Sequence, residues 1–91
     1  MNINNQNFTG TNLKFLRESF NIRPAKMARD LKIDQSTLTK WENLQRNITI
    51  DWAIKISNYF QIAVGDFIAT DLRSEPTKFS TIINQNNKDE R

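Results

Sequence analysis

The residues best suited to chemistry lie between positions 34 and 43, where polar and apolar side chains alternate with helical spacing. Leu38 and Trp41 are three residues apart, which places both on the inner side of a helix. The outer side then carries hydroxyl, amide and ammonium groups from Gln35, Ser36, Thr39 and Lys40. Such a face offers many hydrogen bonds and one charge, so it suits recognition of another polar surface.

The sequence contains few of the residues that catalysis usually requires. The chain contains no histidine and no cysteine, which removes the commonest general base, the commonest zinc ligand and any disulfide or thiolate metal site. The carboxylates of Asp30, Asp34 and Glu42 are spread over two predicted helices and are more simply interpreted as caps and salt-bridge partners. We therefore predict that the protein is not an enzyme and uses no cofactor and no metal.

The length and composition are those of one small folded domain. With 91 residues, 37% of them hydrophobic, the chain can form a single core. The charge is uneven: residues 12–50 carry eight cations and four anions, whereas the remainder carries five and six. A basic first half would attract a phosphate backbone. No apolar run is long enough to cross a membrane and the start of the chain is polar, so we expect a cytoplasmic protein with no membrane partner.

The periodicity predicts an all-α fold, a bundle of five short helices without strands. Thr11, Asp34 and Thr49 are the expected N-caps of the first, third and fourth helices, and Pro24 is the expected first residue of the second. Phe20 is expected in the core stripe of the first helix, and Ile50 and Ile54 in that of the fourth. The predicted helices span residues 12–21, 24–31, 35–43, 50–60 and 64–70.

The polar ends of the chain set the expected domain boundaries. Residues 1–10 contain four asparagines and one glycine and are expected to form a flexible arm. Residues 11–71 form the domain. Residues 72–91 are expected to be a polar tail, either disordered or involved in dimer formation. Within the tail, residues 79–83 (Phe-Ser-Thr-Ile-Ile) are apolar enough to add a strand or helix to a partner.

Two short helices joined by a tight turn, residues 24–31 and 35–43, have the arrangement that lets a second helix enter a DNA major groove. The sequence of residues 22–43 resembles the phage repressor and Cro family of helix-turn-helix domains, and the resemblance continues without a gap over residues 12–68. It implies a lambda-repressor-like bundle. The most specific matches are Ala28, Ile33, Ser36, Thr37, Leu38, Trp41, Glu42 and Asn43.

The resemblance also implies roles for individual residues. Arg17 and Glu42 occupy the places of an arginine and a glutamate that pair between the first helix and the recognition helix. The expected base-reading residues are Gln35, Ser36, Thr39 and Lys40, since amide, hydroxyl and ammonium groups bond to base edges and the Thr39 methyl can meet a thymine methyl. The residues expected to hold the DNA backbone are Arg23, Asn43, Gln45, Arg46 and Asn47.

Three positions depart from the family pattern. Pro24 replaces a glutamine that usually bonds a phosphate, so that contact is missing. Lys32 and Leu44 replace glycines that are usual in the turn and after the recognition helix. Lys32 carries a conformational cost if its φ is positive.

The fourth predicted helix has a second group of large side chains. Trp52, Ile56 and Tyr59 lie at i, i+4 and i+7, on a flank that the core stripe does not fully include. They either complete the core or form a dimer interface. Family members usually dimerise near their last helices, and a dimer would read a two-fold site in the DNA.

We predict a sequence-specific double-stranded DNA-binding regulator of transcription, most simply a repressor that occludes a promoter and acts as a homodimer. A phage or mobile-element regulator, a restriction-modification controller and an antitoxin fit the sequence equally well. The alternative is a protein-interaction module in which the same fold binds a partner protein through the tail or the Trp52 flank.

Overall fold

The computed structural model describes residues 7–74, and within that range the chain forms five α-helices and no strand. The all-α fold predicted from the sequence is therefore confirmed. The helices are α1 (Thr9–Ser19), α2 (Pro24–Leu31), α3 (Gln35–Glu42), α4 (Ile50–Phe60) and α5 (Val64–Ala69).

Helix α1 begins three residues earlier than the sequence predicted, and Thr11 is not its cap. The Asn7 side chain instead accepts hydrogen bonds from the Thr9 backbone N–H at 3.0 Å and from the Thr9 hydroxyl at 2.6 Å. The backbone N–H of Phe8 donates to the carbonyl of Ile68 at 2.8 Å. Residues 7–10 thus belong to the folded body, while the rest of the predicted arm lies outside the described residues, as do residues 75–91 of the predicted tail.

The core lies where α1 packs against α3, α4 and α5, with α2 covering α3. Burying this apolar surface is the main favourable term in folding and fixes how the helices cross. Each helix contributes from one side only, as its 3.6-residue spacing predicts. The buried apolar side chains are Leu13, Leu16, Met27, Ala28, Leu38, Trp41, Ile48, Ala53, Ile56, Phe60, Ile62, Phe67 and Leu72.

Three residues that the sequence placed in the core stripes are exposed. Phe20 is 39% exposed and stacks on Phe60 with ring centroids 5.6 Å apart. Ile50 is 58% and Ile54 43% exposed. For Ile50 and Ile54 the reason is the rotation of α4, which leaves both beyond the edge of the core. The residues of α4 that point inward are Ala53, Ile56, Ser57 and Phe60.

The start of α4 follows the expected capping chemistry. The hydroxyl of Thr49 accepts a hydrogen bond from the backbone N–H of Trp52 at 3.3 Å, which confirms the predicted N-cap. Asp51 lies in the first turn, where its negative charge interacts favourably with the helix dipole. The cap therefore defines where the connection from α3 ends.

A buried glycine lets α1 approach the end of α3 closely. A Cβ atom on Gly10 would lie 2.5 Å from the carbonyl oxygen of Trp41 and 2.7 Å from a methyl group of Leu44. Because the nearer of these atoms belongs to the backbone, a larger residue cannot fit without moving a helix. Gly10 thus sets the spacing between α1 and α3.

Asn12 is a fully buried polar residue that joins the two ends of the described chain. Its side-chain amide donates to the carbonyls of Phe67 at 2.8 Å and Thr70 at 2.7 Å. Its side-chain oxygen accepts from the backbone N–H of Leu72 at 3.1 Å. A buried amide with all of these partners stabilises the fold, whereas the same groups left unpaired would destabilise it.

We expect Asn12→Leu to lower the free energy of unfolding by about 2–4 kcal/mol, because two carbonyls and one N–H lose their partner while the number and branching of the side-chain heavy atoms are kept. Urea unfolding followed by far-UV circular dichroism measures the loss. The control is Asn58→Leu at an exposed position of α4, which should change stability by less than about 0.5 kcal/mol. Equal effects of the two variants would contradict the role of Asn12.

Candidate nucleic-acid interface

Helices α2 and α3 are joined by a turn of three residues whose geometry is set by Lys32. Pro24 is the first residue of α2, as predicted. Lys32 ends that helix in the left-handed conformation, with φ 61° and ψ 47°, so the positive φ anticipated there is present. The backbone N–H of Ile33 then donates to the carbonyl of Ala28 at 2.9 Å, which closes the turn. The reversal brings α3 directly against α2.

The outer face of α3 carries polar side chains that no other described residue covers. Leu38 and Trp41 are buried and fix the helix to the core. The four residues predicted to read bases, Gln35, Ser36, Thr39 and Lys40, are all exposed, and Thr37 between them is half-buried. They occupy two successive turns, so the structure brings them together on one side of the helix.

Asp34 caps α3 with its backbone alone. Its carbonyl accepts from the N–H groups of Thr37 at 3.0 Å and Leu38 at 3.3 Å. Its carboxylate forms no capping hydrogen bond, so the predicted side-chain cap is wrong. The N-cap position still holds a negative charge near the helix N-terminus, where the dipole favours it.

The C-terminal end of α3 is held by an ion pair with α1. The Arg17 Nε atom donates to Glu42 Oε2 at 2.6 Å, and Nη2 donates to Oε1 at 3.0 Å, which is a bidentate arrangement. A further donor, Nη1, reaches the carbonyl of Ile22 at 2.9 Å. The side chains are only 11% and 8% exposed, and the hydrogen bond to Glu42 raises the pKa of Arg17. Arg17 thus joins α1, the segment just before α2 and the end of α3.

Comparison of the sequence with known protein families finds a match that agrees with this arrangement. A family model described as helix-turn-helix, of the Cro type, covers residues 13–67, which is more than half of the chain. The chain belongs to this helix-turn-helix family. Searches of curated proteins and of solved structures find no significant match. Membership places the chain among DNA-binding regulators of transcription, a family that is not typically enzymatic.

In this helix-turn-helix domain the residues predicted to hold the DNA backbone flank the recognition helix. Arg23 is the N-cap of α2 and Asn43 the C-cap of α3. Gln45, Arg46 and Asn47 follow in the connection to α4, and all five residues are exposed. Arg46 and Asn47 also line a shallow cleft with Thr37, Trp41, Thr49 and Trp52.

The chain after the recognition helix turns back at Leu44, whose φ is 62°. The N–H of Leu44 donates to the carbonyl of Trp41 at 3.2 Å, and the N–H of Gln45 donates to that of Lys40 at 2.8 Å. Lys32 and Leu44 stand at positions where the family usually has glycine. Both have a positive φ, in the left-handed region that favours glycine. The helix-turn-helix geometry is kept without the glycines.

Of the two alternatives for Trp52, Ile56 and Tyr59, completion of the core holds for Ile56. Ile56 has no exposed surface, so it cannot form part of a dimer interface. Trp52 is half-buried and packs on Trp41, with ring centroids 5.4 Å apart and the planes tilted by 54°. Tyr59 is also half-buried, and its ring meets Phe60 edge to face. These large side chains mainly brace α4 within the domain.

A polar link between α4 and α2 was missed at the sequence level. The Tyr59 hydroxyl donates to Asp30 Oδ2 at 2.7 Å, and the Lys26 ammonium donates to the same oxygen at 2.8 Å. Burial, followed by the bond to Asp30, raises the pKa of Tyr59 to about 12, while the bonds from Lys26 and Tyr59 lower the pKa of Asp30. Lys26 and Asp30 are four residues apart on a helix, and this spacing predicts their ion pair. No local sequence signal links Asp30 to Tyr59, which lies 29 positions away.

Residues 7–74 contain no group of three or more histidine, cysteine, aspartate or glutamate side chains placed to hold a metal ion. No helix in this range combines the length and the apolar character needed to cross a bilayer.

Arg17→Met is expected to lower the free energy of unfolding by about 3–5 kcal/mol, because the Glu42 carboxylate then remains buried without its partner. The double variant Arg17→Met/Glu42→Leu should recover part of this loss, since it leaves no unpaired charge. Urea unfolding of both variants provides the measurement. The control is Lys26→Met, which removes an exposed ion pair and should change the free energy of unfolding by less than about 0.5 kcal/mol. A double variant at least as unstable as Arg17→Met alone would contradict the role of the unpaired Glu42 charge.

Lys32→Gly is expected to raise the free energy of unfolding by about 0.5–1 kcal/mol, because glycine adopts a positive φ without the cost borne by a residue with a Cβ atom. The matched change Lys14→Gly, within α1, should lower it by about 1 kcal/mol. Thermal unfolding of the two variants tests whether their stabilities change in opposite directions. A destabilised Lys32→Gly variant would contradict the strained turn.

Proposed function

We propose that this helix-turn-helix protein is a sequence-specific repressor of transcription that reads the DNA major groove with α3. The observation that carries the proposal is the outer face of α3, where Gln35, Ser36, Thr39 and Lys40 are exposed while Leu38 and Trp41 anchor the opposite side. A helix held in this way can enter a groove without rearrangement, so little ordering entropy opposes binding.

The chemistry of this face supports base recognition. The Gln35 amide can form two hydrogen bonds with an adenine, and the Lys40 ammonium can reach the acceptors of a guanine. The hydroxyl of Ser36 can bond to either type of base, and the methyl group of Thr39 can pack on that of a thymine. Each well-formed bidentate contact is worth roughly 1–3 kcal/mol of discrimination against the wrong base pair.

Backbone contacts from the flanking residues would supply affinity and register. Arg23 and Arg46 carry positive charge at the two sides of α3, and neither forms an ion pair with another described residue. The amides of Asn43, Gln45 and Asn47 add donors that phosphate oxygens accept. Contacts of this kind do not depend on sequence and weaken as salt rises, because counterions released on binding are then more concentrated in solution.

Repression follows from occupancy of a promoter, which requires DNA binding and nothing else. Two copies would bind a two-fold symmetric site with half-sites about 34–36 Å apart, one turn of the duplex.

The alternative function, a protein-interaction module, predicts a different response to salt. The affinity of an apolar interface for a protein partner is nearly insensitive to salt, whereas the affinity of binding through phosphates falls steeply between low and moderate salt.

Selection of bound sites from random duplexes identifies the preferred DNA. On that site, Gln35→Ala/Ser36→Ala should reduce the ratio of specific to non-specific affinity by about tenfold or more, with unchanged folding. Arg46→Ala should instead weaken both affinities equally and lower the salt dependence by about one counterion. Asn58→Ala, an exposed change on α4, is the control that should alter neither. Unchanged discrimination in the double variant would contradict the assignment of α3 as the reading helix.

A further inference from the structure

Leu44 has a larger exposed fraction than any other large apolar side chain in residues 7–74, at 69%. Its φ of 62° also lies in the left-handed region, which costs a residue with a Cβ atom more than it costs glycine. Asn21, Lys32 and Gln61 share this sign of φ, but their side chains are polar and exposed to water. Leu44 thus combines an unfavourable backbone with an apolar side chain that the described fold leaves open, and an outlier of this kind points to a functional contact.

The Leu44 side chain is nevertheless held in one place. One of its methyl groups lies against Gly10, so close that a Cβ atom on the glycine would come within 2.7 Å of it. The backbone N–H groups of Leu44 and Gln45 donate to the carbonyls of Trp41 and Lys40, which fixes the loop behind the side chain. The leucine therefore presents an ordered apolar surface directly after the recognition helix.

Leu44 forms one wall of a cleft that also has a polar side. Arg46 and Asn47 line this cleft together with Gly10 and Ile48. Arg46 makes no ion pair with another described residue, so its guanidinium is open to an anion. An apolar wall beside an unpaired cation is complementary to a ligand in which an anionic group adjoins an apolar one.

The backbone of DNA has this composition, because anionic phosphates alternate with deoxyribose rings whose C–H groups are apolar. We propose that Leu44 packs on a deoxyribose ring of the DNA backbone, next to a phosphate that Arg46 holds. The inference rests on the proposed function, to which it adds an apolar contact that glycine at this position could not make. A contact with the sugar contributes affinity and register without reading the sequence.

The test measures binding of the full chain to a duplex with one half-site, so that self-association does not contribute. Leu44→Gly should weaken binding about tenfold, equally for the preferred site and for random duplexes, because a sugar contact carries no sequence information. The slope of log Kd against log salt should stay that of the wild type, since no phosphate contact is lost. Leu44→Met keeps an apolar side chain of similar volume and should bind within about twofold of the wild type.

Thermal unfolding separates this contact from a structural role of Leu44. Glycine removes the cost of the positive φ, so Leu44→Gly should unfold at a temperature no lower than the wild type although it binds DNA more weakly. The matched control is Gln61→Gly, which makes the same change at a φ of 61° where α4 ends and should keep the wild-type affinity. A destabilised Leu44→Gly variant would show that the leucine packs within its own chain, and would overturn the proposal.

The binding data distinguish failure of this inference from failure of the proposed function. A wild-type chain that binds no duplex would refute the proposed function. Wild-type binding that Leu44→Gly leaves unchanged, or a change confined to the preferred site, would refute the sugar contact alone. If Leu44→Gly instead weakens self-association in sedimentation equilibrium while half-site binding is kept, a second copy of the chain covers the leucine, and the proposal is likewise overturned.

Discussion

Two buried charges of opposite sign determine how this domain holds α3. Glu42 ends α3, and Arg17 comes from the middle of α1, so their bidentate bond fixes the angle between the two helices as well as their separation. The same guanidinium reaches the carbonyl of Ile22, just before α2. A single side chain thus holds three segments whose relative positions decide where the outer face of α3 points, and the close approach at Gly10 keeps α1 near enough for the bond to form.

The helices and the helix-turn-helix arrangement follow from local patterns, and for this reason the sequence predicts them well. Leu38 and Trp41 are separated by one helical turn, Pro24 suits only the beginning of a helix, and Thr49 is a strong N-cap. These signals involve residues close together in the chain, so they survive in any tertiary context. The pairing of Arg17 with Glu42 came instead from the family resemblance, because nothing local links residues 25 positions apart.

The parts that the sequence did not reveal depend on helix rotation and on distant partners. A shift of about 100° per residue around α4 decides between core and surface, so Ile54, expected in the core stripe, is exposed, whereas Ile56, two residues later, is fully buried. Asn12 looked like an ordinary polar residue near the start of a helix, although its spacing of four residues from Leu16 places it on the inner side. Its partners are more than 50 residues away, and only the packing of α1 on α5 brings them within bonding distance.

The contact between Trp41 and Trp52 gives the domain a built-in optical reporter. The chain has only these two tryptophans, and their indole rings lie 5.4 Å apart where the recognition helix meets α4. At such a distance the excited states of the rings couple, so near-ultraviolet dichroism and emission respond to small changes in their relative tilt. Because Trp52 and Trp41 line the same cleft as Arg46 and Asn47, a ligand that enters this cleft is expected to change the signal without an attached dye.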